Sequence, residues 1–262
     1  MPAHTPFDII DCHIHPATGP RNHFDWFMPC PRTPEEFIRP LMQAGIRRAC
    51  GAPVQMKPLG DFAATASCNR DALAFHRLLP DFYIPAIQVH PRFPDESCRE
   101  IETSHPLGVR WIGELVGYCM GYGEEYDTPG AFRIYDLAQQ LGMAVNFHGS
   151  DMAVVERMCR AFPRLPFVLA HPTANRDTIR ARAQLAARLP NLYVDLSGTG
   201  ITRWGMIRAC CDIAGPEKFL FGTDYPICTP ESFVACVMSE PLTDHERALI
   251  FAGNFLRITG IK

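Results

Sequence analysis

Two histidines one residue apart close the first apolar run of the chain, Phe7-Asp8-Ile9-Ile10-Asp11-Cys12-His13-Ile14-His15-Pro16. If that run is a strand, alternation places Asp11, His13 and His15 on one face and Ile10, Cys12 and Ile14 on the other. Two imidazoles so placed can grip one metal ion. Pro16 biases His15 away from helical geometry, so the pair sits where a strand runs out into a loop. Ligand-capable residues recur at the ends of later apolar runs: Glu114, His148, His171 and Asp224. Six such residues at five run ends are hard to credit to chance, and they predict a metal centre. A bound divalent ion lowers the pKa of water from about 15.7 to about 7, which makes a nucleophile available at neutral pH. Asp224 is the expected catalytic residue, taking a proton from that nucleophile and passing it to the leaving group. Zn²⁺ is the expected ion, one or two per chain, and Mn²⁺, Fe²⁺ or Ni²⁺ would suit the same donors.

The elements that must position these groups form a simple repeat. Eight short apolar runs, from 7–16 to 219–226, alternate with amphipathic helical segments, and two further helices at about 231–238 and 244–259 finish the chain. Strand-helix alternation implies a parallel sheet. A length of 262 residues suits closure into one α/β domain, a (β/α)8 TIM barrel over residues 1–262. An open doubly wound sheet would be expected to show a glycine-rich phosphate turn, and no GxGxxG or P-loop occurs. Barrels carry their functional groups at the C-terminal ends of the strands, where the six residues fall.

The set His13-Ile14-His15, His148, His171 and Asp224 within Gly222-Thr223-Asp224-Tyr225-Pro226 resembles the metal motifs of the amidohydrolase superfamily. The tail Gly253-Asn254-Phe255-Leu256-Arg257-Ile258 resembles the ending of its amidohydrolase-related (amidohydrolase 2) branch, and the resemblance spans residues 7–260. It implies a metal-dependent barrel, in most members a hydrolase of esters, lactones, amides or phosphoesters. Some members of the branch instead decarboxylate or hydrate aromatic-derived acids. Many binuclear members bridge two metals with a carboxylated lysine on strand four. Gly113-Glu114-Leu115 looks instead like TatD-type and lactonase-type members, where a glutamate bridges. By that resemblance His13, His15 and Asp224 would hold a first metal, His148 and His171 a second, with Glu114 between.

The expected activity is therefore a metal-dependent hydrolase, binuclear, acting on a small ester, lactone or amide. The alternative is a one-metal non-oxidative decarboxylase or hydratase, which gains ground if Glu114 merely pairs with Arg110. A non-catalytic metal-binding barrel is the third reading. Substrate contacts are expected from His23 and Trp26 in the aromatic loop 17–32, from Tyr118 and Tyr122 after strand four, and from Arg203 after strand seven. His90 and His105, each before a proline, are expected to be structural. Asp11 and Asp195 would support ligands from behind.

Composition narrows the partners. Hydrophobic content of 47% supports a sizeable core, and a formal charge of -3 with mixed signs offers no nucleic-acid face. No apolar run approaches a bilayer span, and no leader is visible after Met1. A small-molecule substrate, a cytoplasmic setting and compatibility with a homo-oligomer are the expectations. Eleven cysteines without a CxxC pair read as buried thiols in a reducing compartment.

Overall fold

A computed structural model describes residues 5–17, 31–54 and 61–262. His23 and Trp26 of the aromatic loop lie outside the described residues. Eight parallel strands follow one another in space as in sequence: β1 Ile10–Asp11, β2 Arg48–Gly51, β3 Tyr83–Ile87, β4 Trp111–Leu115, β5 Ala144–Phe147, β6 Phe167–Leu169, β7 Leu192–Asp195 and β8 Phe219–Leu220. The last strand returns to the first. Cys12 N–H donates to the Phe221 carbonyl at 2.9 Å, Asp224 N–H to that of His13 at 2.8 Å, and His15 N–H to that of Tyr225 at 2.8 Å. The ring of strands is thus closed, as the TIM-barrel fold requires.

The helices are α1 Pro34–Gln43, α2 Ala63–Leu78, α3 Pro94–Ser104, α4 Gly117–Met120, α5 Pro129–Gln140, α6 Met152–Ala161, α7 Arg176–Arg188, α8 Met206–Ala214, α9 Pro230–Ser239, α10 Asp244–Ala248 and α11 Asn254–Thr259. Their starts are written locally. Thr33 accepts from Glu36 N–H with Pro34 next in line, Asn175 accepts from the amides of Asp177 and Thr178, and Thr243 with Glu246 forms a capping box. Two features were not expected. The short helix α4 follows β4 directly, and the segment expected as one helix over 244–259 is interrupted by a π-helical turn, Leu249–Gly253.

Two cores separate inside from outside. One buried cluster takes a residue from every strand: Ile10, Cys50, Ile84, Trp111, Ala144, Val168, Tyr193 and Leu220, with Phe255 of α11 against Trp111 beneath them. A cluster drawing on all eight strands fills the barrel interior. The larger cluster, including Ile14, Ile112, Phe147, Leu169, Val194 and Phe221, lies between strands and helices. No helix among the described residues is long and apolar enough to cross a membrane, and every cysteine among them is a free thiol.

Simple alternation does not survive at two site-bearing strands. Ile10 and Cys12 belong to the inner cluster and Ile14 to the outer one, so the phase slips by one residue around His13. Asp11 does not share the face of His13 and His15. Its carboxylate accepts the N–H of His13 (3.1 Å) and the N–H and hydroxyl of Thr223 (3.0 and 2.6 Å), replacing ladder bonds with side-chain ones. On β4, Trp111 is inside and Ile112 outside, and the pairing register shifts between Ile112 and Leu115. Glu114 therefore reaches the interior through an irregularity, not through the even spacing from Arg110. Gly113 makes this approach feasible, since a Cβ there would stand 2.1 Å from the Asn146 carbonyl oxygen.

Candidate metal centre

The six expected ligands converge at the C-terminal mouth of the barrel. His13 Nε2 lies 3.2 Å from Glu114 Oε2 and 3.6 Å from Asp224 Oδ1. His15 Nε2 lies 3.4 Å from that same Glu114 oxygen and 3.3 Å from Asp224 Oδ1. The other Glu114 oxygen, Oε1, faces the opposite side, 3.1 Å from His148 Nδ1 and 3.4 Å from His171 Nε2. Glu114 thus divides its oxygens between two groups of ligands. Arg110 is not its partner. That guanidinium donates to the carbonyls of His105 and Val109, each at 2.8 Å.

Backbone strain concentrates here. His171 and Asp224 adopt φ of 64° and 66°, in the left-handed region that non-glycine residues seldom enter, and Thr173 beside them has 74°. From α7, the buried Arg182 holds this corner by donating to the carbonyls of Ala170, His171 and Gly149. The loop after β7 closes on the same corner, because Gly198 at φ +60° lets its backbone pass against the His171 ring.

Charge is distributed as a cation site needs. Burial works against the Glu114 carboxylate, but the facing charge of His13 and bonds from His13, His148 and His15 outweigh it and hold its pKa well below the usual range. Burial likewise disfavours the charged rings. Asp195 and Glu114 nevertheless push His13 well up, and bonds to Asp224 and Glu114 push His15 to about 9. Asp11 goes the other way for a carboxyl, raised to about 7 by its burial.

The donors fit a divalent metal. His13 Nε2 is fully buried and, although Glu114 Oε2 lies 3.2 Å away, it makes no well-formed hydrogen bond. Such an atom, facing two carboxylates, would be satisfied by a cation. Ligand atoms of His13, His15 and Asp224, and again of His13, Glu114 and His171, lie within 4.8 Å of one another.

The expected substrate contacts divide. Tyr118 is 66% exposed and stands edge-on to His148, with ring centroids 5.4 Å apart, at the mouth. Tyr122 is not brought there: it is 1% exposed, packed edge-on against His90 and Tyr126 in the core. Arg203 also falls away from the ligands, into an outer groove between α7 and α8 with Arg176, Arg180 and Trp204. His90 is structural as expected, its Nδ1 accepting from Arg92 N–H. Sequence reading did not single out Ser197, which lies 2.9 Å from His171 Nδ1 and 3.0 Å from His13 Nδ1. Its position two residues after Asp195, just past β7, was the available signal.

Comparison with known proteins adds the family. A family model described as amidohydrolase matches residues 10–260. No curated protein matches the chain. Among solved structures, an uncharacterized TIM-barrel protein from Bordetella bronchiseptica is similar at 20% identity and a TM-score of 0.71, covering 97% of this chain and 99% of that one. The 2,6-dihydroxybenzoate decarboxylase from Rhizobium is similar at 13% identity and a TM-score of 0.75, covering 97% and 99%. A 5-carboxyvanillate decarboxylase from Novosphingobium aromaticivorans, complexed with manganese and 4-hydroxy-3-methoxy-5-nitrobenzoic acid, is similar at 16% identity and a TM-score of 0.67, covering 86% and 79%.

Proposed function

The chain belongs to the amidohydrolase family, and from that premise we propose that it is a metal-dependent hydrolase of a small ester, lactone or amide, with two divalent ions bridged by Glu114. The observation that carries this reading is the division of the Glu114 oxygens, one toward His13 and His15 and the other toward His148 and His171. His13, His15 and Asp224 would hold one ion and His148 and His171 the other. Bound there, the ions supply Lewis acidity, acidifying water and polarising a substrate oxygen. Asp224, beside His15 Nε2 and 7% exposed, accepts the proton of the attacking water and returns it to the leaving group. Tyr118 lines the entrance and contacts the substrate, a small molecule. Zn²⁺ suits the histidine and carboxylate donors, and Mn²⁺ suits them too.

A second reading, non-oxidative decarboxylation of a small aromatic acid at one ion, is favoured by the similarity to two decarboxylases of hydroxylated benzoates. One experiment separates the two. The purified protein is loaded with Zn²⁺ or Mn²⁺, its metal content measured, and its turnover followed on a panel of lactones, esters and amides beside hydroxybenzoates. The hydrolase reading expects about two ions per chain and acid release from a member of the first panel. One ion per chain, with carbon dioxide released from a hydroxybenzoate and no hydrolysis, would overturn it in favour of the decarboxylase.

A further inference from the structure

Behind the ligands, at the end of β7, the fully buried Asp195 carboxylate joins three strands. Its Oδ2 accepts from the Asn146 side-chain amide and lies against His13 Nδ1, both at 2.9 Å. Its Oδ1 accepts the backbone N–H of His171 (3.2 Å), the backbone N–H of Ser197 (3.0 Å) and the Ser197 hydroxyl. Ser197 Oγ in turn meets His171 Nδ1 at 2.9 Å and His13 Nδ1 at 3.0 Å. Hydrogen accounting then leaves little freedom. An ionised carboxylate offers only lone pairs, so the His13 nitrogen facing it must carry the hydrogen. The single Ser197 hydroxyl hydrogen is committed to Asp195, so its oxygen can only accept, and His171 Nδ1 must carry a hydrogen as well.

We propose that Asp195 and Ser197 are a pair of positioning residues that set the Nδ1–H tautomer of His13 and of His171 together, so that two rings from different strands both turn an unprotonated Nε2 toward a divalent cation. The inference rests on the metal-centre reading of the preceding section. The two other histidines are served differently. His15 Nδ1 faces the Ala52 carbonyl at 3.1 Å, and His148 meets Glu114 through Nδ1 itself. A defect in the pair should therefore reach His13 and His171 and spare the others.

Two variants act on different rings. In Asp195→Asn the two backbone N–H groups and the Ser197 hydroxyl retain the amide oxygen. The new NH₂ group then points at His13 Nδ1 and drives that ring to the Nε2–H form, which cannot ligate. In Ser197→Ala the His171 Nδ1–H loses its acceptor, whereas His13, whose Nδ1 also lies 3.0 Å from that hydroxyl, keeps the Asp195 carboxylate at 2.9 Å. The test uses zinc alone: affinity by competition with a chelator, and NMR of zinc-loaded protein labelled with ¹⁵N-histidine. Wild type is expected to show slowly exchanging Nδ1–H signals for both His13 and His171. Asp195→Asn should lose the His13 signal and about 10–100-fold in zinc affinity, and Ser197→Ala should lose the His171 signal while His13 keeps its Nδ1–H signal, shifted by the missing hydroxyl. General loosening would abolish both Nδ1–H signals in both variants and would overturn the proposal. If Asp195→Asn does not fold, the ring-selective effect of Ser197→Ala decides. A wild type that binds zinc, with both variants binding it equally, overturns the positioning role and leaves the metal centre standing. A wild type that takes up no zinc overturns both.

Discussion

Gly198→Ala places one methyl group where the barrel corner has no room for it. The residue sits at φ +60°, and a Cβ there would stand 2.5 Å from His171 Nδ1 and 2.9 Å from its Cε1. Ordinary contact begins near 3.4 Å, so the ring must retreat by about 0.9 Å, because a packed interior transmits such a clash instead of absorbing it. That retreat disturbs the 2.9 Å contact of Nδ1 with Ser197 and displaces Nε2 from its place 3.4 Å from Glu114. A misplacement of about 1 Å at a reacting centre can cost on the order of 10²-fold in rate. The left-handed backbone adds roughly 1–2 kcal/mol of instability for any residue with a Cβ. In a chain of this size each kcal/mol lowers Tm by about 2–4 °C. Gly142→Ala separates the two effects, since Gly142 has φ +64° but nothing within 4 Å of its Cβ position. We expect both variants to lose a few degrees in Tm and only Gly198→Ala to lose about 10²-fold in kcat/KM. Metal should remain on His13, His15 and Asp224. Equal kinetics in the two variants would refute the claim that the His171 position matters to the chemistry.

Three further outcomes are expected. Asp224→Asn keeps shape and an oxygen donor but removes the base, so turnover should fall about 10²–10⁴-fold with metal content retained, measured by steady-state kinetics and elemental analysis. Because the folded pKa of His15 is raised from 6.5 to about 9, its ionic contribution to the metal-free protein is full below 6.5 and is lost as pH rises through 9. Metal displaces that proton, so affinity for Zn²⁺ should rise with pH across this window, with proton release detectable in weak buffer near pH 7.5, and a flat profile would contradict the assignment. Arg182→Met strips three carbonyls around His171 of their donor and should cost about 2–4 kcal/mol in urea unfolding, far more than a substitution at exposed Arg180.

The ligand types and the strand ends that bear them were legible in the sequence, because histidine and carboxylate residues closing apolar runs stand out against a strand-helix rhythm. The barrel was legible for the same reason, and the caps the structure shows at Thr33, Asn175 and Thr243 fix helix starts by local chemistry. Which way the ligands point was not. Even spacing wrongly grouped Asp11 with His13 and Arg110 with Glu114, since side-chain bonds from Asp11 to Thr223 and the register shift in β4 rephase those strands. Tyr122 and Arg203 follow strands as Tyr118 does, yet the turn of α4 sends Tyr122 into the core, and the loop before α8 sends Arg203 to the outer groove. Ser197 gained its importance only when β7 was set between β6 and β8. Local sequence sets what each element is and what it carries. Only closure of the ring, through backbone bonds between segments some two hundred residues apart, decides which of those groups share a hydrogen bond.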